Sequence, residues 1–142
     1  KWRAFLLNVE HFEPGFFNIS PREAELMDPQ HRLFLQSVWH AIESAGYAPD
    51  SWRGKNVGVF AGVQFQEYQT LIQEAGICDP YVATGNSHAM LANRVSYLMD
   101  WHGPSEAMDT ACSSALVALH RAVQALKLGE CELAIAGGVS VA

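Results

Sequence analysis

The 142-residue sequence is 49% hydrophobic and holds no repeat or low-complexity tract, which excludes a disordered chain and predicts one globular unit with a core of its own. Its net charge of −6, with nine Lys and Arg spread thinly, lacks the concentrated positive face that phosphate neutralisation needs and excludes nucleic acid as a partner. No run of about 18 apolar residues is present to span a bilayer. The opening KWRAFLLNVEHF has neither the apolar length nor the small-residue cleavage site of a signal peptide, so a cytoplasmic protein with no membrane partner is expected.

Along the chain, residues 1 to 19 mix Trp2, Phe5, Leu6, Phe12, Phe16 and Phe17 without a clean period and read as an irregular packed arm. SPRE then sets Ser20 as a helix N-cap, Pro21 at the first helical position and Glu23 at the reciprocal position of a capping box, and Asp28-Pro29 repeats the start signal. From Pro29, Phe34, Leu35, Val38, Ala41, Ile42 and Ala45 recur at three and four residues opposite Arg32, Gln36, His40 and Glu43, an amphipathic helix ended by Gly46.

NVGVFAG at 56–62 is short and almost continuously apolar, as a strand covered on both faces must be. Residues 63–84 carry a weaker signal: a short helix near 66–75, then a loop marked by Gly76 and Pro80. HAMLANRVSYLM at 88–99 has helical spacing and stops before His102-Gly103-Pro104.

SEAMDTA reads as a strand, and SSALVALHRAVQALKLG as a helix with Leu116, Leu119, Val123 and Leu126 on one face and four alanines nearby. That helix is expected to be almost wholly buried. ELAIAGGVSV at 132–141 closes the chain as another buried strand, in which Gly137 and Gly138 permit close backbone approach. The alternation of helix and strand predicts an α/β fold, its parallel or mixed sheet covered by helices on both faces.

The chemistry-bearing candidates are few. Three cysteines form an odd count in a chain with ample apolar material, so free thiols in a reducing compartment are expected rather than a disulfide framework. No CxxC, HxxxH or HxH spacing occurs among the six His and three Cys, so no metal site is expected. His31, His40 and His120 fall within helical patterns as solvated or hydrogen-bonded side chains, and His102 reads as a loop residue.

Cys112 is the exception, because DTACSSALVALH places it between a strand and a helix. The first N–H groups of that helix are unpaired and its dipole is positive there, which favours a thiolate, the attacking form of cysteine. The same N–H groups suit the oxyanion of an attacked thioester, a contribution of about 3 kcal/mol per donor. A small buried hydrophobe in an alanine-rich helix remains the competing reading of the position.

The motifs themselves point further. GPSEAMDTACSSALVALH followed by GECELAIAGGV, with FFNISPREAELMDPQHRLFLQSVWHAIESAGYAP, NVGVFAG and ANRVSY ahead of it in that order, closely resembles the ketosynthase domains of modular polyketide synthases over essentially the whole chain. The resemblance implies a thiolase-like layered fold, residues 1–142 forming part of the N-terminal subdomain, with the family's opening strand and its C-terminal half, home of two catalytic histidines and a lysine, absent from this stretch.

It implies that Cys112 accepts an acyl chain from the phosphopantetheine arm of an acyl carrier protein for decarboxylative Claisen condensation with a malonyl-type extender, no cofactor being bound directly. The implied partners are that carrier protein, the rest of the ketosynthase and its neighbouring synthase domains, and a second copy across a twofold axis. Ala115 stands where the family commonly has a third serine, Met108 where a β-branched residue is usual, and Trp101-His102 alter the approach to the strand; none removes the nucleophile.

Two other functions compete. A condensing-enzyme segment serving as a non-catalytic assembly or dimerisation module would be stable, self-associating and unreactive at Cys112. A cysteine hydrolase of unrelated fold would require a histidine paired with Cys112.

Overall fold

A computed structural model describes residues 6–141. Trp2 and Phe5 of the expected arm lie outside that range. The rest of the arm folds over a short 3-10 turn, Pro14–Phe17, with Phe17 buried and stacked on Phe12 while Phe16 remains exposed.

Six α-helices and three strands follow among the described residues: α1 Pro21–Leu26, α2 Pro29–Ser44, β1 Val57–Gly62, α3 Glu67–Glu74, α4 Pro80–Asn86, α5 His88–Met99, β2 Ser105–Met108, α6 Ser114–Lys127 and β3 Leu133–Gly138. Ser20 caps α1 by accepting from the Glu23 N–H at 3.1 Å. The Glu23 carboxylate pairs with Arg94 on α5 and so ties α1 to the body of the molecule. Asp28 caps α2 through the Gln30 N–H at 2.8 Å, and Gly46, at φ +82, follows its end.

Helix α4 corrects the expected loop at Pro80. Asp79 accepts from the Tyr81 N–H at 3.0 Å, and Pro80 occupies the first helical turn, where its missing N–H costs nothing.

The sheet has the order β2-β1-β3, and both pairings are parallel: Val59 lies opposite Ser105 on one side, and Val57 opposite Leu133 on the other. Every residue of the central strand is buried, while the flanking β2 and β3 are half-buried, so β3 is less covered than its composition suggests.

Strand alternation divides the core in two. Val57, Val59 and Ala61 of β1 face the side built by Phe34, Leu35, Val38 and Ile42 of α2 and by Leu91, Ala92 and Val95 of α5. Phe60 points the other way, onto Ala118, Ala122 and Ala125 of α6. Each fully buried Val, Leu, Ile or Phe contributes about 1.5–3 kcal/mol.

Helix α6, expected to be almost wholly buried, instead covers only one of its faces. It buries Ala118, Ala122 and Ala125 and leaves Leu116, Leu119 and Leu126 exposed, Leu116 at 72%. The reason is distance: a Cβ on Gly62 would stand 2.6 Å from the Ser114 carbonyl carbon, and one on Gly138 would stand 2.7 Å from the Ala115 Cβ. A helix this close to its sheet has room beneath it only for small side chains. Gly137, expected to share that role, makes only ordinary contact with the Phe34 ring at 3.5 Å.

The polar face of α2 is corrected as well. Arg32, expected on the solvent side, is buried, as are Gln30 and His31, whose Nδ1 has no hydrogen-bond partner among the described residues. Burial, followed by the charges of Arg94 and His88, drives the His31 pKa down to about 3, so the imidazole is neutral.

Candidate active site

Strand β2 ends at Met108, short of the seven residues expected, and residues 109 to 113 turn the chain into α6. The turn is built from its own side chains. Asp109 Oδ1 accepts from the Ala111 N–H at 2.9 Å, and Ser113 Oγ donates to the Thr110 carbonyl at 2.7 Å. Ser114, buried, donates through Oγ to the Ala111 carbonyl at 2.7 Å and accepts from the Thr110 N–H at 2.8 Å.

These bonds hold Ala111 at φ +54, a left-handed conformation that a residue with a Cβ adopts only under local constraint. Cys112 follows at the crest of the turn and is exposed. The packing role that competed for it belongs instead to Cys131, which is buried beside Phe60.

The N–H groups of Ala115 and Leu116 have no backbone acceptor among the described residues, so donors stand free at the positive end of α6, three and four residues after the thiol. Around Cys112 opens a cleft of about 440 Å³, walled by Gly62, Val63, Gln64 and Phe65 leaving β1, by Gly138, Val139 and Ser140 leaving β3, and by Ala111, Ser114 and Ala115. Its place, at the carboxyl ends of parallel strands, is where open α/β sheets bind ligands.

The family model for the beta-ketoacyl synthase N-terminal domain matches residues 1–142. The chain belongs to the beta-ketoacyl synthase family. Its fold is that of the thiolase-like ketosynthases: the oxazolomycin ketosynthase domain of Streptomyces albus superposes with a TM-score of 0.91 at 47% identity, over all of this chain and 25% of that one. The ketosynthase from module 6 of the bacillaene synthase of Bacillus subtilis gives 0.87 at 45% identity, over 97% of this chain and 23% of that one.

Among curated relatives, Polyketide synthase ThaG of Burkholderia thailandensis is 56% identical over 99% of this chain, and Erythronolide synthase EryA2 of Saccharopolyspora erythraea is 52% identical over 96%. The chain spans only 2% and 4% of their lengths.

Within this ketosynthase chain the cleft gathers Cys112 and Ala115 from the sequence reading, but no histidine lines it among the described residues. His40 and His120 are exposed, and His102 sits in its loop 3.2 Å from Asp100 Oδ1. Among the described residues no three His, Cys, Asp or Glu side chains converge as metal ligands, and no helix is long and apolar enough to cross a membrane.

Gly62 and Ser114 were not legible as site residues. Gly62 reads only as the last residue of a strand, its role lying in packing across the sheet-helix contact, and Ser114 reads as one of two adjacent serines, though its bonds to Thr110 and Ala111 are local to the turn.

Proposed function

We propose that Cys112 is the acyl acceptor of a ketosynthase. The carrying observation is its exposure at the crest of a strained strand-to-helix turn, over a cleft at the carboxyl ends of β1 and β3. In this reading the Cys112 thiolate attacks the thioester carbonyl of an acyl chain borne on the phosphopantetheine arm of an acyl carrier protein.

The tetrahedral oxyanion that forms is met by N–H groups at the start of α6, the carbon–sulfur bond to pantetheine breaks, and pantetheine thiolate leaves as the Cys112 thioester remains. Loss of carbon dioxide from a malonyl-type extender then supplies the carbanion that attacks this thioester, forms the carbon–carbon bond and releases Cys112. The proton donors for that second step come from groups beyond the cleft walls described, in the remainder of the ketosynthase domain.

The carrier protein, the neighbouring synthase domains and a second copy of the domain are the partners this reading implies, in the cytoplasm, where three free cysteines are at home. Intact-mass spectrometry after incubation with a short acyl-pantetheine thioester tests it. One acyl adduct that is absent from Cys112→Ala is the expected result; an unmodified folded chain would overturn it.

One observation favours a second reading, that of an assembly module: the apolar face of α6, with Leu116, Leu119 and Leu126 exposed. Self-association together with an unreactive Cys112 would select it.

A further inference from the structure

The two walls of the cleft continue past the point where the sheet can hold them. The ladder between β1 and β3 ends at Gly62 opposite Gly138, and the last backbone bond across it runs from the Val139 N–H to the Gly62 carbonyl at 3.0 Å. Beyond it, residues 63–65 and 139–140 line the cleft with no backbone hydrogen bond between them among the described residues, and something else must set their spacing.

Gln30 spans that gap. The residue is 2% exposed, on the same stripe of α2 as Phe34 and Val38. Nε2 donates to the Phe65 carbonyl at 2.7 Å and lies 3.3 Å from Asp28 Oδ2, while Oε1 accepts from the Val141 N–H at 3.3 Å. His88 Nε2 approaches the same Phe65 carbonyl at 3.4 Å.

The amide thus acts as a peptide group would in an inserted strand, donating to one segment and accepting from the other. A carboxylate lacks the donor, and a thioether of the same length lacks both functions. From this we infer that Gln30 is a positioning residue for acyl transfer: it fixes the separation of the Phe65 and Ser140 walls and so the path by which an acyl thioester reaches Cys112. The inference rests on the acceptor role proposed for Cys112.

The test compares wild type, Gln30→Met and Gln30→Glu in the full-length protein, with three readouts. Acylation of Cys112 by an acyl-pantetheine thioester reports the cleft, alkylation of Cys112 by iodoacetamide reports the turn alone, and hydrogen exchange of the Val141 amide reports the clamp. The Val141 amide is expected to be protected in wild type and freely exchanging in Gln30→Met. Acylation kcat/KM is expected to fall about tenfold or more in both variants, as a misplaced approach of order 1 Å produces, with alkylation unchanged.

Wild-type acylation in Gln30→Met, or acylation and alkylation falling together, would overturn the inference. Should both variants fail to fold, an unprotected Val141 amide in wild type would overturn it, and a protected one would support the clamp. A wild-type chain that is not acylated would count against the role of Cys112, while Val141 exchange still decides whether Gln30 holds the walls.

Discussion

The Ala115 methyl group lies so near Gly138 that a Cβ on the glycine would stand 2.7 Å from it, whereas a Cβ on Gly62 would meet backbone first, at 2.6 Å from the Ser114 carbonyl carbon and 2.7 Å from the Ala115 nitrogen. One close approach is made by a side chain that can be removed, and the other is not. Gly138→Ala is therefore expected to cost about 1–3 kcal/mol through overpacking.

Adding Ala115→Gly should restore part of that loss, with a coupling energy of about 0.5 kcal/mol or more. Gly62→Ala should gain nothing from the same second change. Urea unfolding of the single and double variants checks this, and equal rescue of both glycine variants would contradict the packing described.

The thiols should divide by burial. Cys78 and Cys112 are exposed and Cys131 is buried, its pKa raised chiefly by burial. Since alkylation requires an accessible thiolate, iodoacetamide is expected to add two groups to the native chain and a third only in denaturant. Cys112→Ala should remove one native adduct and change stability by no more than about 0.5 kcal/mol, as exposed sites do. Mass spectrometry before and after unfolding distinguishes the three.

The outer face of α6 should be adhesive. Leu116, Leu119, Val123 and Leu126 form one stripe along it and are each more than a third exposed. Apolar surface of this kind associates in water. Leu116→Glu combined with Leu119→Glu is expected to lower concentration-dependent association in sedimentation experiments while leaving the unfolding midpoint unchanged. A fall in the midpoint would mean that these leucines are part of the core.

Acid should destabilise the chain through His31. Its folded pKa of about 3 lies below the ordinary histidine value of 6.5, so between those limits the unfolded chain binds more protons than the folded one. Stability is then expected to fall as pH drops from 6.5 towards 3, by at most about 1.4 kcal/mol per pH unit from this group. His31→Gln should flatten that part of the profile. An unchanged slope in urea titrations at pH 7.5 and 5 would show that His31 does not govern it.

How much of this was legible depended on the range of the interaction involved. The caps at Ser20 and Asp28, the Pro-led helix starts and the central strand at 57–62 follow from residues within one turn of each other, and all were readable. The exception is Pro80, where a start signal of the same kind was present but the sparse apolar residues around it suggested a loop.

The orientation of α6 was not legible, because side-chain hydrophobicity ranks leucine above alanine as the buried face. Two strand-end glycines, 62 and 138, bring the helix too close for leucine to fit, and a spacing between elements has no local signature in the chain.

By itself, then, the sequence determined the order of elements apart from α4, the α/β class, the family and the residue at the turn, since each rests on neighbours along the chain or on long motifs. Only the tertiary structure decided which face of α6 is covered, that Arg32, His31 and Gln30 are buried, and that the segments leaving β1 and β3 converge on Cys112 with Gln30 between them. Those outcomes are set by contacts between residues far apart in the chain, Gln30 and Val141 most of all, and such contacts exist only once the sheet has brought its carboxyl ends together.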